Sequence, residues 1–161
     1  MTDNTLPGPS PQAIAEAVRE ALWKDDFASQ GLGMCITAIS PTSATLTMTV
    51  RRDMLNGHGS CHGGMITALA DSCFAFACNA GNEMAVASGF QLSIVAPAHE
   101  GDVLTAQCVE QHRSGRTGVY DCEVHNQHGQ RIALFRGNAH AVKGRPVVEG
   151  LPLPPPRGRS R

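Results

Sequence analysis

The sequence predicts an α+β domain in which about six antiparallel strands wrap around one long central helix, with an additional N-terminal helix. Three observations support this fold class. The segment 63–81 has helical character and is apolar around nearly its whole circumference, which is typical of a buried helix. Six other segments have the composition or the alternation of strands. The breaks between the last four are too short for crossover connections, so these strands are expected to be mostly antiparallel.

The first helix is predicted over 10–29, SPQAIAEAVREALWKDDFAS, where Ile14, Val18 and Leu22 recur at helical spacing. Ser10 and Pro11 suit the N-cap and the first turn. Two strands are predicted next, at 32–39 and 43–50, because both alternate with period two.

The central helix is expected to begin near Gly63 and to close at Asn79 and Gly81, because both residue types favour a helix end. Four strands follow, at roughly 85–95, 102–112, 117–126 and 131–142. The sequences between them, PAHEGD, SGR and QHG, are typical of tight turns. One domain over 11–143 is therefore predicted. It lies between a Pro/Gly/Ser-punctuated N-terminus, 1–10, and a proline-rich basic tail, 144–161, both predicted to be disordered.

The composition excludes several classes of function. Only 17% of the 161 residues are charged and the formal net charge is -1, so neither nucleic acid nor an anionic membrane is an expected partner. No apolar run could span a bilayer, and the start, MTDNTLPGPSPQ, lacks the features of a signal peptide, so a cytoplasmic protein is expected. The six cysteines contain no CxxC pair, and most are expected to be reduced and buried.

The stretch NGHGSCHGGMITALAD, residues 56–71, is the candidate site because glycines and a lone acid break local rules there. At the start of a helix the first amides lack partners, and Gly63 and Gly64 would let a substrate carbonyl oxygen approach them. Asp71 is the only charged residue between Gly63 and Asn82, and Thr67 lies one turn earlier on the same face. A carboxylate there can attack a carbonyl or activate water.

The spacing of these groups predicts a shared site. Asp71 lies eight residues after Gly63, about 12 Å along one helix, so the two cannot act on the same carbonyl. If both are catalytic, each comes from a different copy of the chain across a two-fold axis. A single copy is also expected to leave part of the helix or the sheet uncovered, so a homodimer at least is predicted.

The segments MLNGHGSCHGGMITALADSCFAFACN and GRTGVYDCEVHNQHGQRIALFRG resemble the hotdog-fold acyl-CoA thioesterases, and among them those of phenylacetic acid degradation. The resemblance covers roughly 12–143. It implies a hotdog fold, assembly as a dimer of dimers, and a CoA thioester substrate. The implied reaction is hydrolysis of an aryl-acyl-CoA, phenylacetyl-CoA or a ring-hydroxylated relative, to the free acid and CoA. No cofactor and no metal are expected.

The resemblance also implies roles for individual residues. Asp71 would be nucleophile or general base, and the Gly63 amide from the opposite subunit would polarise the carbonyl. Asn56 and His62 would help to position the substrate and the attacking water. Further candidates for substrate binding are Gly64, Thr67, Ser72 and Arg116. Arg116 is the predicted anchor for the CoA nucleotide, with Arg136 and Lys143 as alternatives, because SIVAP at 93–97 lacks the acid and the arginine that the family carries there.

Four other interpretations compete with this one. His58, Cys61 and His62 are zinc-ligand types, but adjacent Cys and His point apart and a fourth ligand is not evident. A nucleophilic pair of Cys61 with a histidine is disfavoured for the same reason. An acyl-thioester dehydratase or hydratase on this fold could use His62 with Asp71. A non-catalytic acyl-CoA binding module would bind CoA without releasing thiol, and the isolated acid argues against it.

Overall fold

The computed structural model describes residues 8–155, and it confirms the predicted fold class. Six antiparallel strands form one sheet in the order β1-β2-β4-β5-β6-β3. The strands are β1 (Cys35–Ser40), β2 (Ser43–Thr49), β3 (Glu83–Ile94), β4 (Val103–Ser114), β5 (Thr117–His125) and β6 (Arg131–Pro146). The helices are α1 (Pro11–Asp25), α2 (Phe27–Gly31), α3 (Gly63–Asn79) and a short 3-10 turn at Arg52–Met54. Because α3 contacts every strand, the sheet surrounds it as predicted.

The apolar faces meet in one core between α3 and the sheet. Leu46, Met48 and Val50 of the β2 segment are buried, whereas the threonines between them are more exposed, as their alternation predicts. From α3, Ile66, Leu69, Cys73, Phe74 and Phe76 enter the same core. All six cysteines are free thiols and five are buried, which confirms the prediction made for most of them.

One face of α3 stays open in the single chain. Gly64 and Ala75 are exposed, and Ala68 and Asp71 are half-buried. Strand β3 is also open, because it forms one edge of the sheet and, within the part of the chain that the structure describes, pairs only with β6. Exposed apolar side chains lie on it and just after it: Val86, Phe90, Ile94 and Val95. An apolar edge strand of this kind favours pairing with a further strand.

The predicted N-terminal helix is two helices, and the break lies at Asp26. Ser10 caps α1 as predicted, since its Oγ accepts from the Ala13 amide at 3.1 Å. Asp26 leaves the helical conformation (φ -83°, ψ 68°), and its Oδ1 accepts from the Ser29 amide at 3.1 Å. A second N-cap therefore starts α2 where helical spacing alone predicted a continuous helix.

Helix α3 ends at Asn79, one of the two closing residues predicted, and the left-handed residue that follows it is Asn82 (φ 71°) rather than the glycine at position 81. Asn82 is fully buried, and its backbone and side chain hold the segment that follows β6. Its Oδ1 accepts from the Val148 amide at 2.8 Å, and its Nδ2 donates to three carbonyl oxygens at 3.1–3.3 Å, those of Val148, Leu151 and Pro152. We call residues 147–155 the strap.

The strap changes the expected C-terminal boundary. The boundary predicted after residue 143 falls inside β6, which continues to Pro146, and the strap is hydrogen-bonded where a disordered tail was expected. The physical reason is Asn82, which lies more than sixty residues earlier in the chain. The prediction of disorder also covers 1–7 and 156–161. These residues lie outside the part of the chain that the structure describes.

Asn82→Gly should lower the free energy of unfolding by about 2 kcal/mol, because it removes several side-chain hydrogen bonds while keeping a residue that tolerates φ 71°. Asn82→Ala should cost about 1 kcal/mol more, because alanine also resists the left-handed conformation. Urea denaturation of the two variants and the wild type measures both effects. Equal stability of the glycine variant and the wild type would contradict this role.

Candidate active site

The N-terminus of α3 and the loop before it are fixed by their own polar side chains. Asn56 Oδ1 accepts from the amides of His58 and Ser60, at 2.9 and 3.3 Å, and Asn56 Nδ2 donates to Ser60 Oγ at 3.1 Å. His62 is the N-cap of α3, with its Nδ1 accepting from the Gly64 amide at 2.9 Å. Asn56 and His62 thus hold the backbone that carries Gly63.

These contacts leave one amide available. The Gly64 amide is occupied by His62, and the Gly63 carbonyl accepts from Thr67 Oγ1 at 2.8 Å. The Gly63 amide, in contrast, makes no hydrogen bond with any residue between 8 and 155. It lies at the positive end of α3, where an unpaired N–H stabilises negative charge on an oxygen. Of the two predicted glycine donors, Gly63 is therefore the one free to act.

A cleft of about 360 Å³ opens onto this amide. Its polar side is formed by Asn56, Ser60 and Gly63, and its other wall comes mainly from Ile66 and from 94–97 at the end of β3. A Cβ on Gly63 would lie 2.9 Å from Ile94 Cδ1, so a side chain at this position would crowd the cleft. The absence of a side chain keeps the amide accessible.

Asp71 lies two turns further along α3, on the open face. It is half-buried, and among the described residues it has neither a hydrogen-bond donor nor an ion-pair partner. Burial raises the pKa of the Asp71 carboxyl above its usual range. A carboxylate that is partly desolvated and unpaired is a stronger base than a solvated one, as the proposed chemistry requires.

The raised pKa predicts an acid limb in the pH profile that depends on Asp71. The chemistry expected of Asp71 uses its ionised form, so kcat/KM should fall on acidification at a pH above the ordinary aspartate value of about 3.9. A pH–rate profile measures this limb. An acid limb with its midpoint at the ordinary aspartate pKa would contradict this prediction. So would an acid limb that is unchanged when Asp71 is replaced.

The raised pKa of Asp71 also affects the free energy of unfolding. A salt-bridged acid has a lowered pKa and stabilises the fold at neutral pH, whereas the ionised Asp71 destabilises it. Since the native state holds the proton more tightly than the unfolded state, unfolding free energy declines as pH rises through the raised pKa. Asp71→Asn should therefore be more stable than the wild type at neutral pH. This gain should disappear below about pH 3.9, where the carboxyl is protonated in both states. Chemical denaturation at the two pH values tests it.

Several of the predicted substrate-binding side chains contact parts of the structure other than Gly63 and Asp71. Ser72 Oγ is 2.8 Å from the buried Ser29 Oγ, so this hydroxyl faces α2. Arg136 forms an ion pair with Asp121, with Nε 2.6 Å from Oδ1. Arg116 and Lys143 line a separate cavity near the first residue of β3. Their roles in substrate binding stay predictions.

Sequence reasoning missed some residues of the cleft. Ser60 could have been found, because an asparagine followed by glycine and serine is typical of a loop held by side-chain-to-backbone bonds. Ile94 and Val95 could not, since they reach the cleft only because β3 ends beside the start of α3.

The Cys61 and metal interpretations gain no support from the geometry. Cys61 is buried, and burial is the main cause that raises the pKa of its thiol, so the unreactive protonated form is favoured. Within the part of the chain that the structure describes, no three His, Cys, Asp or Glu side chains are grouped as metal ligands would be.

Comparison with known proteins finds relatives that share this fold. The family profile of the thioesterase superfamily matches residues 58–133. The acyl-coenzyme A thioesterase PaaI of Escherichia coli is 44% identical over 124 residues, 77% of this chain and 89% of that protein. A putative esterase of Archaeoglobus fulgidus is 32% identical over 80% of this chain and 84% of its own length.

Solved structures show the same relationship. The E. coli PaaI structure, from the phenylacetic acid degradation operon, superimposes with a TM-score of 0.83 at 41% identity, covering 84% of this chain and 99% of that one. A point mutant of the phenylacetic acid degradation protein PaaI from Thermus thermophilus gives 0.70 at 36% identity, covering 73% and 100%.

The antiparallel sheet around α3 and the similarity to thioesterases together define a hotdog-fold, thioesterase-like domain. The chain belongs to the thioesterase superfamily and, within it, to the family of acyl-CoA thioesterases that includes PaaI. The family, the fold and the class of enzyme predicted from the sequence are thus confirmed. No helix in residues 8–155 is both long and apolar enough to cross a membrane.

Proposed function

We propose that the protein hydrolyses the thioester bond of an aryl-acyl-CoA, phenylacetyl-CoA or a ring-hydroxylated relative, to the free acid and CoA. The observation that carries this proposal is that α3 holds both the Gly63 amide and the partly desolvated Asp71, and that neither group has a polar partner within residues 8–155. The aryl-acetyl substrate is supported by the similarity to PaaI of E. coli, a protein from a phenylacetic acid degradation operon.

In the proposed reaction the Gly63 amide donates a hydrogen bond to the thioester carbonyl oxygen. The Asp71 carboxylate either attacks the carbonyl carbon or takes a proton from a water that attacks it. The C–S bond breaks, the sulfur leaves with a proton that comes ultimately from water, and the acyl carbon gains the water oxygen. Asn56 and His62 are positioning residues, because their side chains hold the loop and the helix start that present the Gly63 amide.

The site is proposed to be shared between two subunits. The helical rise between Gly63 and Asp71, about 12 Å, separates the two groups within one chain. The open edge of β3 and the open face of α3 are adjacent surfaces on which a second copy can pack antiparallel. Gly63 of one subunit would then face Asp71 of the partner subunit. Two such dimers are proposed to form a tetramer, and the buried free thiols favour a reducing location, the cytoplasm.

Product analysis with phenylacetyl-CoA tests the reaction class. Release of free CoA thiol together with phenylacetic acid is the expected result. A dehydratase or hydratase, the alternative enzyme class, would return an altered but intact thioester. A binding module would retain CoA and release no thiol, and either outcome would overturn the proposal.

A further inference from the structure

A second cavity, of about 530 Å³, lies beyond the C-terminal end of α3 and under the strap. We call it the strap pocket. Residues 153–155 form its apolar side, and Arg113, Arg116, Lys143 and Glu83 form its charged side. Neither the proposed reaction nor the core explains why three cations surround one cavity.

The charges in the strap pocket do not cancel. A β-bulge between Glu110 and His112 turns Arg113 inward, where its side chain is only 8% exposed and its Nη2 lies 2.5 Å from Glu83 Oε2. This ion pair is neutral as a unit. Arg116 and Lys143 are exposed, and within residues 8–155 neither side chain has a hydrogen bond or an ion pair. The pocket therefore offers two uncompensated positive charges next to an apolar wall.

The strap pocket lies within reach of Asp71 along the same helix. Asn79, the last residue of α3, hydrogen-bonds through its side chain to the Ala85 backbone, two residues after Glu83. Asp71 is about 12 Å before Asn79 along α3. Cys78, one residue before Asn79, is close enough to Arg113 of the strap pocket and to Asp71 for both charges to affect its thiol. Burial is the largest influence on the pKa of this thiol, Arg113 lowers the pKa, and Asp71 raises it. The extended pantetheine arm of CoA is long enough to bridge such a separation.

We propose that the strap pocket binds the phosphorylated adenosine end of the CoA thioester whose carbonyl reacts at Asp71 of the same chain. Arg116 and Lys143 contact the phosphates, and the adenine packs against Leu153 and the neighbouring prolines. This inference rests on the proposed function and adds the means of substrate recognition. Lys143 and the strap lie outside the region that the family profile matches, 58–133, so this recognition is built partly from residues outside the shared family core.

Two measurements test the inference. In the first, adenosine 3′,5′-bisphosphate is titrated calorimetrically into the wild type and into Arg116→Ala/Lys143→Ala. We expect binding to the wild type, and a loss of affinity of about tenfold or more in the double variant, because charge-assisted contacts to phosphate are removed. Arg131→Ala is the matched control, since it removes an exposed arginine that pairs with Glu123 elsewhere on the sheet. Absence of binding to the wild type, or equal binding by all three proteins, would overturn the inference.

The second measurement compares phenylacetyl-CoA with S-phenylacetyl-pantetheine, which lacks the nucleotide. The wild type should prefer the CoA thioester in kcat/KM, mainly through KM, and the double variant should lose most of that preference. An unchanged preference in the double variant would overturn the inference. If the wild type hydrolyses neither substrate, the proposed function fails, while the calorimetric result still decides whether the pocket binds the nucleotide.

Discussion

Asp71→Asn should lower kcat for thiol release from phenylacetyl-CoA by about 10²–10⁴-fold, the range expected when a general base is lost. Asparagine has nearly the same shape but can neither attack the carbonyl as a carboxylate nor accept a proton from water. Because Asp71 makes no hydrogen bond or ion pair with the described residues, its neutralisation leaves no partner unsatisfied. The variant should therefore fold, assemble and bind CoA as the wild type does.

Three measurements check this result. Thiol release gives the rate, light scattering gives the oligomeric state, and calorimetry gives the affinity for CoA. Asp25→Asn is the matched control, because it makes the same substitution at an exposed aspartate at the end of α1. It should change neither the rate nor the pH profile. A wild-type rate in an assembled Asp71→Asn protein would show that the carboxylate is structural, and the shared site would lose its reactive group.

Gly63→Val should lower kcat by about 10²–10³-fold on its own, the loss typical of an oxyanion donor that can no longer act. The valine side chain would crowd the cleft that Gly63 and Ile94 line, where even a Cβ lies 2.9 Å from Ile94 Cδ1. When Gly63→Val and Asp71→Asn chains are co-expressed, each mixed dimer has one site with both groups intact. Random pairing would restore about a quarter of wild-type activity, because half of the dimers are mixed and each has one intact site of two.

Two different affinity tags allow assemblies that contain both variants to be isolated and assayed. Homodimers of either variant serve as the baseline. If these mixed assemblies are as inactive as the homodimers, Gly63 and Asp71 act within one chain and the proposed two-fold arrangement is wrong. A regain of activity would also place the interface on the open face of α3.

Much of the fold could be predicted because its determinants are local. The apolar circumference of α3, the alternation in β2 and the Ser10 cap all lie in short stretches of sequence. The two predictions that were wrong have different causes. One depends on a capping side chain that interrupts a helical pattern, and the other on a contact between residues far apart in the chain. Asp26 splits the first helix because its side chain caps α2. The strap is ordered because Asn82 binds it across more than sixty residues, which periodicity does not reveal.

The candidate site divides in the same way. Asp71 and Gly63 could be predicted because each breaks a local rule, a lone acid on an apolar helix and a glycine at a helix start. Ile94 and Val95 could not, because their place beside Gly63 depends on where β3 ends. Arg116 and Lys143 could be predicted from the sequence as separate candidates for the nucleotide anchor, but the sequence does not show that they lie in one pocket. The bulge that turns Arg113 inward and the strap that covers it have no clear sequence signal.

The strand order has a consequence for the growing chain. On the ribosome β3 is made directly after α3, but β6, with which it pairs among residues 8–155, begins at Arg131. Until β6 has emerged, both edges of this apolar strand are unpaired, and an unpaired edge is a template for wrong contacts. The proposed reactive centre beside β3 is therefore among the last parts of the domain to be completed during synthesis. Nascent chains that end before β6 should be the ones that depend most on chaperones.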